Sequence, residues 1–296
     1  MRRRGTPPAD PPPLPAEERF RRLDAYRVDR EWRRYEGTPL RDLFRELRLR
    51  FLGRHGCPVP GPVLEVGPGP GRFSGALGAP DHSRILLDLS REALVAARSR
   101  LEAAGETERV PTDLLRGNGR NPPFRSGSFG QVVLLGNTLG FAGPGAEALL
   151  GAVDRCLAPG GSVLLEIVAG PGERSNYLHR LPPGALRRLL AAPTRALVPR
   201  VLREGFRPLE SARRSAFRRF SVAEQDALLG SFGWRLEERL AVAPALGHDP
   251  DQLRAIWEDP RAREKLLLVE EAVGREPGRW PRASALLVAA RADRAI

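Results

Sequence analysis

Short apolar runs alternate with helical apolar patterns along most of this chain. Four of these runs, rich in valine and leucine, are bounded by glycine, proline or polar residues, which is typical of buried parallel strands. Between two of them, Ala93, Ala97 and Leu101 recur at helical spacing after Ser90, which can cap a helix. Parallel strands need long crossover connections, so the alternation predicts a parallel sheet with helices on both faces. The four runs cover residues 63–66, 85–87, 132–135 and 163–167.

The same periodicity predicts the remaining elements of the core. Pro144 can start a helix that the proline-glycine turn at 159–161 ends, just before the fourth run. Ser221 and Glu224 have the spacing of a capping box and predict the start of a later helix. The chain then continues with a strand-like stretch at 234–242, a helical pattern at 251–274 and a buried strand at 283–290.

Two departures from this rhythm divide the chain into segments. The first residues are rich in proline and lack periodicity, so we expect a disordered tail there. Leu40, Leu43, Leu47 and Phe51 then predict an amphipathic helix near the N-terminus. Prolines and arginines interrupt the core after the run at 163–167, which we interpret as an insertion. The segments are a tail (1–18), a helical N-terminal segment (19–56), a core (57–170), an insertion (171–220, with short helices at 184–191 and 197–204) and the completion of the core (221–296).

The composition is that of a soluble globular protein. The 296 residues are 41% hydrophobic and 28% charged, and no run approaches the ~18 apolar residues of a membrane-spanning helix. The N-terminus, MRRRGTPPADPPPLP, has prolines where a signal peptide has an apolar run, so we expect a cytoplasmic protein. Cys57 and Cys156 lie far apart without ligand-like neighbours, and we expect neither a disulfide nor a metal site.

The strongly basic charge has two explanations. A formal net charge of +12 is typical of proteins that bind nucleic acid. However, Lys265 is the only lysine and the arginines are spread along the whole chain, which is the pattern that a GC-rich genome produces. The charge therefore favours no particular partner.

The sharpest motif is VLEVGPGPGRF at residues 63–73, which follows a predicted strand and leads into a predicted helix. Glycines at 67, 69 and 71 remove side chains that would keep a ligand away from the backbone, and they permit a sharp turn. A dinucleotide-binding fingerprint needs glycine or alanine three residues after Gly69, where this chain has Arg72. The Gly-Lys-Ser/Thr ending of a phosphate-binding loop is absent as well. The motif thus predicts a ligand site that does not suit NAD or FAD.

An acidic residue followed by a G-x-G-x-G loop resembles the first motif of class I S-adenosylmethionine-dependent methyltransferases. The resemblance covers residues 61–168 closely and the terminal hairpin at 234–290 more loosely. It implies an α/β fold, a Rossmann-like doubly wound sheet of about seven mostly parallel strands with an antiparallel C-terminal strand. Three further segments follow in the family's order: ILLDLSREALVAARSR from Ile85, PTDLLRGNGRNPPFRSGSFGQVVLLGN from Pro111 and LAPGGSVLLEI from Leu157.

The resemblance implies that S-adenosyl-L-methionine is the cofactor and indicates the residues that hold it. Glu65 would lie near the methionine amino group through a water molecule, with the three glycines along the methionine chain. Asp88 would accept hydrogen bonds from both ribose hydroxyls, since a carboxylate can accept two donors side by side. Leu89 would lie against the adenine, with Asp113 and Leu114 at its edge and plane. Asn137 lies where the fourth strand, the run at 132–135, opens onto the cofactor. The full set is Glu65, Gly67, Gly69, Gly71, Asp88, Leu89, Asp113, Leu114 and Asn137.

Three of these residues also have purely structural explanations. Glu65 could cap the helix that follows the glycine loop. Asp88 could serve only to precede the Ser90 cap, and Asn137 could be an ordinary turn residue.

The NPPF sequence at residues 121–124 matches a motif of methyltransferases that act on exocyclic amino groups of bases. In those enzymes the motif follows the fourth strand, where its asparagine faces the transferred methyl group. Here NPPF precedes the predicted strand at 132–135, so we interpret it as a surface connection without a chemical role.

Methyl transfer from a sulfonium is an in-line displacement that depends mainly on positioning and on exclusion of water. A general base is needed only for a protonated acceptor. Glu166, Tyr177 and His179 lie at or after the end of the fifth strand, the run at 163–167, but the sequence assigns none of them this role. Acceptor-binding residues are expected in the N-terminal helical segment and the insertion, as a lid over the cofactor or as cover for the sheet edge. The candidates are Tyr35, Arg174, Asn176 and Tyr177.

Two other classes of function stay open. Arg213, Arg214, Arg218 and Arg219 lie beside Phe217 and Phe220, a combination that suits an RNA methyltransferase or a nucleic-acid-binding protein. A regulator that binds the cofactor without catalysis also fits the sequence. We favour a small-molecule acceptor, because the two added segments adjoin the edge of the sheet where cofactor clefts open.

Overall fold

A computed structural model describes residues 25–33, 36–168, 174–175, 190–196, 199, 208–209, 218–242, 250–283 and 285–292. Within them, the apolar runs of the sequence become strands. The strands are β1 (Val63–Val66), β2 (Arg84–Asp88), β3 (Thr112–Arg116), β4 (Phe129–Leu134), β5 (Leu157–Ile167), β6 (Arg174–Ser175), β7 (Pro208–Leu209), β8 (Trp234–Val242) and β9 (Ala285–Ala292).

The main sheet has seven strands in the order β3-β2-β1-β4-β5-β9-β8. Strands β1 to β5 run parallel, β9 is antiparallel to β5, and β8 is antiparallel to β9. The chain winds outward in one direction from β1 to β3 and in the other from β4 onward. The carboxyl ends of β1 and β4 therefore border the switch point at which α/β sheets bind ligands. The predicted doubly wound sheet with an antiparallel C-terminal strand is confirmed.

Helices cover both faces of this sheet, and side-chain caps mark where several of them begin. Thr38, Ser90 and Asp259 each accept a hydrogen bond from a backbone amide of the helix that follows, and Ser221 with Glu224 forms the predicted capping box. The helices are α1 (Ala25–Arg33), α2 (Pro39–Arg54), α3 (Arg91–Ala103), α4 (Glu106–Arg109), α5 (Thr138–Ala142), α6 (Ala146–Cys156), α7 (Val222–Ser231), α8 (Pro250–Glu258) and α9 (Pro260–Gly274).

The strands are apolar on both faces because both faces are buried. Leu64 and Leu134 point to the side covered by α6, where they join Leu150 in the largest apolar cluster. Their neighbours Val63 and Val133 point to the opposite side and pack with Phe51 of α2 and Leu287 of β9. The core thus forms two layers separated by the sheet.

The two N-terminal helices pack in different places. Helix α2 buries Leu43 and Leu47 against Leu253 and Ile256 of α8 and Leu266 of α9, so this helix covers the body of the domain. Helix α1 lies instead against α3 and buries Val28. The apolar face of α2 thus packs into the core, whereas α1 packs against the helix that follows β2.

The structure departs from the sequence prediction at several boundaries. The helical pattern at 251–274 is two helices, because Asp259 caps a new helix at Pro260. The helix expected to run to the turn at 159–161 ends at Cys156, and that turn lies inside β5. Strands β6 and β7, which pair antiparallel, were not predicted. The short helices predicted at 184–191 and 197–204 lie mostly outside the described residues, as does the tail.

Within the part of the chain that the structure describes, no helix combines the length and the apolar character needed to cross a bilayer. Cys57 is half-buried and Cys156 buried, and both are free thiols. In the same ranges, no three histidine, cysteine or acidic side chains converge as a metal site would require.

Candidate functional site

The carboxyl ends of β1, β2 and β4 bring most of the predicted site residues together. Glu65 lies near the end of β1, and the turn that contains Gly67, Gly69 and Gly71 follows it directly. Asp88 ends β2 beside this turn. Asn137 follows β4 and begins α5. These residues border the switch point of the sheet.

Glu65 is a buried carboxyl group held by the segment that follows the glycine turn. Only 2% of the residue is exposed, and the Ser74 hydroxyl donates to Glu65 Oε2 at 2.5 Å. Burial raises the pKa of Glu65 to about 7, against the opposing effects of the Ser74 hydrogen bond and the Arg84 charge. Ser74 begins a single 3-10 turn, so the helix predicted after the loop is only three residues long. The Glu65 carboxyl therefore changes protonation near neutral pH.

Arg84 at the start of β2 holds the segment that follows the glycine turn, a role that we did not predict from the sequence. The guanidinium is fully buried, and it donates to the Ser74 and Leu77 carbonyl oxygens at 2.5 and 3.2 Å. It also donates to the Glu106 carbonyl at 2.9 Å and to Thr112 Oγ1 at 2.8 Å. An arginine at the head of an apolar strand was the only available signal. Burial lowers the pKa of Arg84.

The three glycines serve different purposes, although all have positive φ. A Cβ on Gly67 would meet Thr138 Oγ1 at 2.6 Å, and one on Gly71 would meet the Ala97 Cβ at 2.9 Å. Gly67 and Gly71 are thus required by the close approach of α5 and α3. A Cβ on Gly69 would have nothing within 4 Å. Of the three positions, Gly69 alone faces the open space that a ligand requires.

Asp88 holds the tip of this turn. Its Oδ2 accepts the Gly69 amide at 3.0 Å, and its Oδ1 accepts the Ser90 amide at 2.8 Å. Burial raises the pKa of Asp88, while the two amide hydrogen bonds act in the opposite direction. Ser90 separately caps α3 through the Ala93 amide. Asp88 thus joins β2, the glycine turn and the start of α3, in addition to any role toward a ligand.

The structure does not bring Asp113 and Leu114 to this edge. Asp113 pairs with Ile85 in the register of β3 and β2, three residues before Asp88, and its side chain is exposed. Leu114 packs beneath α3. The residue that follows β3 at the carboxyl edge is Gly117, whose amide donates to the Asp88 carbonyl at 2.9 Å. A small cavity opens here, lined by Leu89, Arg116, Gly117 and Asn118. Leu89 and Asn118 thus lie together at this edge of the sheet, whereas Asp113 does not.

Asn137 has the backbone conformation of a constrained turn. Its φ of 65° makes it the only residue other than glycine with positive φ within the described ranges. The side chain is 6% exposed, and its Oδ1 accepts the Val168 amide at 3.4 Å, while Nδ2 is buried without a hydrogen-bond partner. Gly140 beside it accepts the Arg218 amide at 3.0 Å. Asn137 therefore lies where both ends of the insertion leave the core.

Glu166, a candidate general base, is engaged by α2. Arg48 donates to its two carboxylate oxygens at 3.0 and 2.5 Å, and the Gly136 amide donates to Oε2 at 3.1 Å. Burial by itself raises the pKa of Glu166, but the Arg48 charge and these hydrogen bonds hold it below the usual value. A carboxylate stabilised in this way is a weak base.

Several predicted residues lie outside the described part of the chain. They are Tyr35, Asn176, Tyr177, His179, Arg213, Arg214 and Phe217. Arg174 is described only through its backbone in β6, which pairs with β7. Arg218 stacks on the Phe220 ring with 4.6 Å between its guanidinium carbon and the ring centroid. The NPPF segment precedes β4, as predicted, and the Pro122 carbonyl accepts a hydrogen bond from Arg155 at 3.1 Å.

One comparison with known proteins matches the part of the chain that contains the glycine turn. Residues 63–161 match the family model described as a methyltransferase domain. No curated protein matches the chain. The match contains β1, the glycine turn, β2, β3, β4 and Asn137, whereas Arg48 and Glu166 lie outside it.

Similar solved structures have the same fold. One, from the complex between the Haloferax volcanii Trm112 methyltransferase activator and a methyltransferase, is 19% identical over 91% of this chain and 97% of that chain, with a TM-score of 0.51. A SAM-dependent methyltransferase from Thermotoga maritima is 17% identical over 94% and 100% of the two chains, with a TM-score of 0.49. At such identities the likeness extends to the fold only, and we take the first of these structures as its support.

Proposed function

We propose that this chain, whose residues 63–161 match a methyltransferase domain, is a class I methyltransferase that takes its methyl group from S-adenosylmethionine. The main supporting observation is the arrangement of Asp88 and Gly69 at the switch point. A carboxylate ends β2 there, and it is hydrogen-bonded at 3.0 Å to the amide of a glycine that leaves open space for a ligand. This combination suits a ribose against a bare backbone.

The surrounding residues fit the rest of the cofactor. The raised pKa of Glu65, about 7, suits a carboxyl that becomes ionised when an ammonium group binds nearby. The cavity lined by Leu89 and Asn118 adjoins Asp88 on the side where an adenine would lie, with Leu89 as its apolar wall. Asn118 thus takes the place that the sequence assigned to Asp113.

The chemistry requires little from the protein beyond positioning. The bound cofactor supplies an electrophilic methyl group on a sulfonium. Asp88 and Glu65 would hold the ribose and the amino group of the cofactor. Gly67 and Thr138 keep the turns after β1 and β4 in contact, with 3.5 Å between the Thr138 hydroxyl and the Gly67 carbonyl oxygen. The acceptor is then held in line with the methyl group. We assign no general base, since Arg48 occupies Glu166.

We further propose a small-molecule acceptor. The N-terminal helix α1 lies against the glycine turn, and both ends of the insertion leave the core beside Asn137, where Phe220 donates to the Val168 carbonyl at 3.2 Å. Additions on both sides of a cleft favour an enclosed pocket rather than an open surface for RNA. Tyr35, Arg174, Asn176 and Tyr177 stay our proposed acceptor-binding residues.

Calorimetry with S-adenosylhomocysteine tests the cofactor, and NAD is the matched control. We expect binding of the first and none of the second. Methyl transfer is then tested with labelled cofactor and a cell extract separated into small molecules, RNA and protein. Label in the small-molecule fraction supports the acceptor proposal, whereas label in RNA contradicts it. Cofactor binding without transfer to any fraction would indicate a regulator, and preference for NAD would remove the cofactor proposal.

A further inference from the structure

Helix α1 is attached to the glycine turn through one tryptophan. The half-buried Trp32 ring contacts two guanidinium groups, with the guanidinium carbons of Arg72 and Arg100 at 4.9 Å and 4.2 Å from the ring centroid. Arg72 belongs to the glycine turn, and Arg100 belongs to α3. The ring therefore bridges α1, the turn and the helix that follows β2.

Hydrogen bonds reinforce each side of this stack. Arg72 Nη2 donates to the carbonyl oxygens of Glu31 and Trp32 at 3.1 and 2.7 Å, at the C-terminal end of α1 where carbonyl groups need partners. Arg100 donates to the Pro70 carbonyl at 3.4 Å and lies 3.7 Å from the Asp29 carboxylate. The same two arginines thus bind α1 and the backbone of the turn.

This attachment restrains the turn independently of Asp88. The Asp88 carboxylate restrains the tip of the turn, since its Oδ2 accepts the Gly69 amide and its Oδ1 accepts the Ser90 amide. A ligand that hydrogen-bonds Asp88 has to share those same oxygens. The contacts of Arg72 and Arg100 hold the turn without using Asp88, so they persist when that carboxylate is engaged.

We propose that α1 is a cofactor-responsive element, in which Trp32 is a positioning residue that holds the glycine turn in its ligand-binding conformation. The inference rests on the proposed cofactor site at Asp88 and adds the coupling of α1 to it. By thermodynamic reciprocity, docking of α1 strengthens cofactor binding, and the bound cofactor strengthens docking of α1 to the same extent. Trp32 does not touch the reacting atoms in this account.

The test compares Trp32→Ala with Trp257→Ala in the full-length chain. Trp257 also stacks on an arginine, Arg263 at 5.6 Å, but it lies on α8 away from the turn. We expect Trp32→Ala to raise the dissociation constant of S-adenosylhomocysteine in calorimetry about fivefold or more, since two cation–π contacts are lost. Trp257→Ala should change it by less than about twofold.

A second measurement uses the wild-type protein and does not depend on the folding of a variant. Hydrogen–deuterium exchange at the amides of 25–33 should slow when S-adenosylhomocysteine binds. If the wild type binds the ligand while Trp32→Ala binds equally well and exchange in α1 is unchanged, the coupling is absent although the cofactor proposal stands. If the wild type does not bind the ligand, the cofactor proposal itself fails and the coupling with it.

Discussion

Arg48 on α2 and Glu166 on β5 form a two-pronged ion pair, with 3.0 Å from Nε to Oε2 and 2.5 Å from Nη2 to Oε1. Both side chains are largely withdrawn from water, at 12% and 6% exposure. The Gly136 amide also donates to Glu166 Oε2, so the ion pair connects α2 to β5 and to the turn after β4. The Val168 amide donates to Asn137 Oδ1 and joins the turns after β4 and β5, so the ion pair fixes this part of the carboxyl edge of the sheet.

Removal of either partner alone should destabilise the protein strongly. Arg48→Met leaves the Glu166 carboxylate buried with the Gly136 amide but without its countercharge, and we expect a loss of about 3–5 kcal/mol in the free energy of unfolding. Glu166→Leu removes the carboxylate that balances the charge of the Arg48 guanidinium, so we expect a loss in the same direction. The double variant buries no unpaired charge and should lose less than either single variant. Urea unfolding measures all three, and additive losses would show that the pair is not coupled.

Asp88 and Asp113 should differ sharply in cofactor binding. Asp88→Ala removes a carboxylate at the end of β2, and charge-assisted hydrogen bonds contribute roughly 1.5–3 kcal/mol each, so we expect more than tenfold weaker binding of S-adenosylmethionine. Asp113→Ala removes an exposed carboxylate near the start of β3 and serves as the matched control, with a change of less than about twofold. Calorimetry measures both. The reverse order of effects would place the ribose elsewhere.

The contrast between these two aspartates shows what the sequence could and could not predict. Asp88 follows an apolar run with a clear boundary, so its place at the sheet edge was evident from the chain. Asp113 sits in a partly buried edge strand whose register is set by pairing with β2, which local sequence does not specify. The same limit applies to Arg84, since its carbonyl partners come from segments far apart in sequence. The pattern of apolar and polar residues along the chain does not specify such contacts between distant segments.

The glycine turn should separate stability from ligand binding. Gly67→Ala would bring a methyl group to 2.6 Å from Thr138 Oγ1, and Gly71→Ala would bring one to 3.0 Å from the Ala97 Cα, both at positive φ. We expect each to cost about 2–4 kcal/mol in the free energy of unfolding, from overpacking and backbone strain.

Gly69→Ala has open space around its methyl group and should cost only about 1–2 kcal/mol, from its positive φ. The same methyl group would project into the proposed ligand space, so cofactor affinity should fall even though the fold is kept. Thermal unfolding and calorimetry on the three variants test this separation. Equal destabilisation by all three would show that the approach of α5 and α3 is not what requires Gly67 and Gly71.

The buried carboxyl of Glu65 should make stability depend on pH in a defined direction. Burial raises the pKa of this group to about 7 in the folded protein, against a usual value of 4.5. The neutral acid is favoured by folding, so its contribution is fully present below pH 4.5 and is lost as the pH rises through 7. A difference of this size corresponds to a loss of about 3 kcal/mol.

Glu65→Gln removes the titration while keeping an oxygen that can accept the Ser74 hydroxyl. Relative to wild type, the free energy of unfolding of this variant should therefore rise by about 3 kcal/mol between pH 4.5 and pH 8. Ser74→Ala supplies a second comparison, since it removes a hydrogen bond that favours the ionised form and should shift the wild-type transition to higher pH. Denaturant unfolding across this range gives both curves. A constant difference between Glu65→Gln and wild type would mean that Glu65 titrates as it does in the unfolded chain.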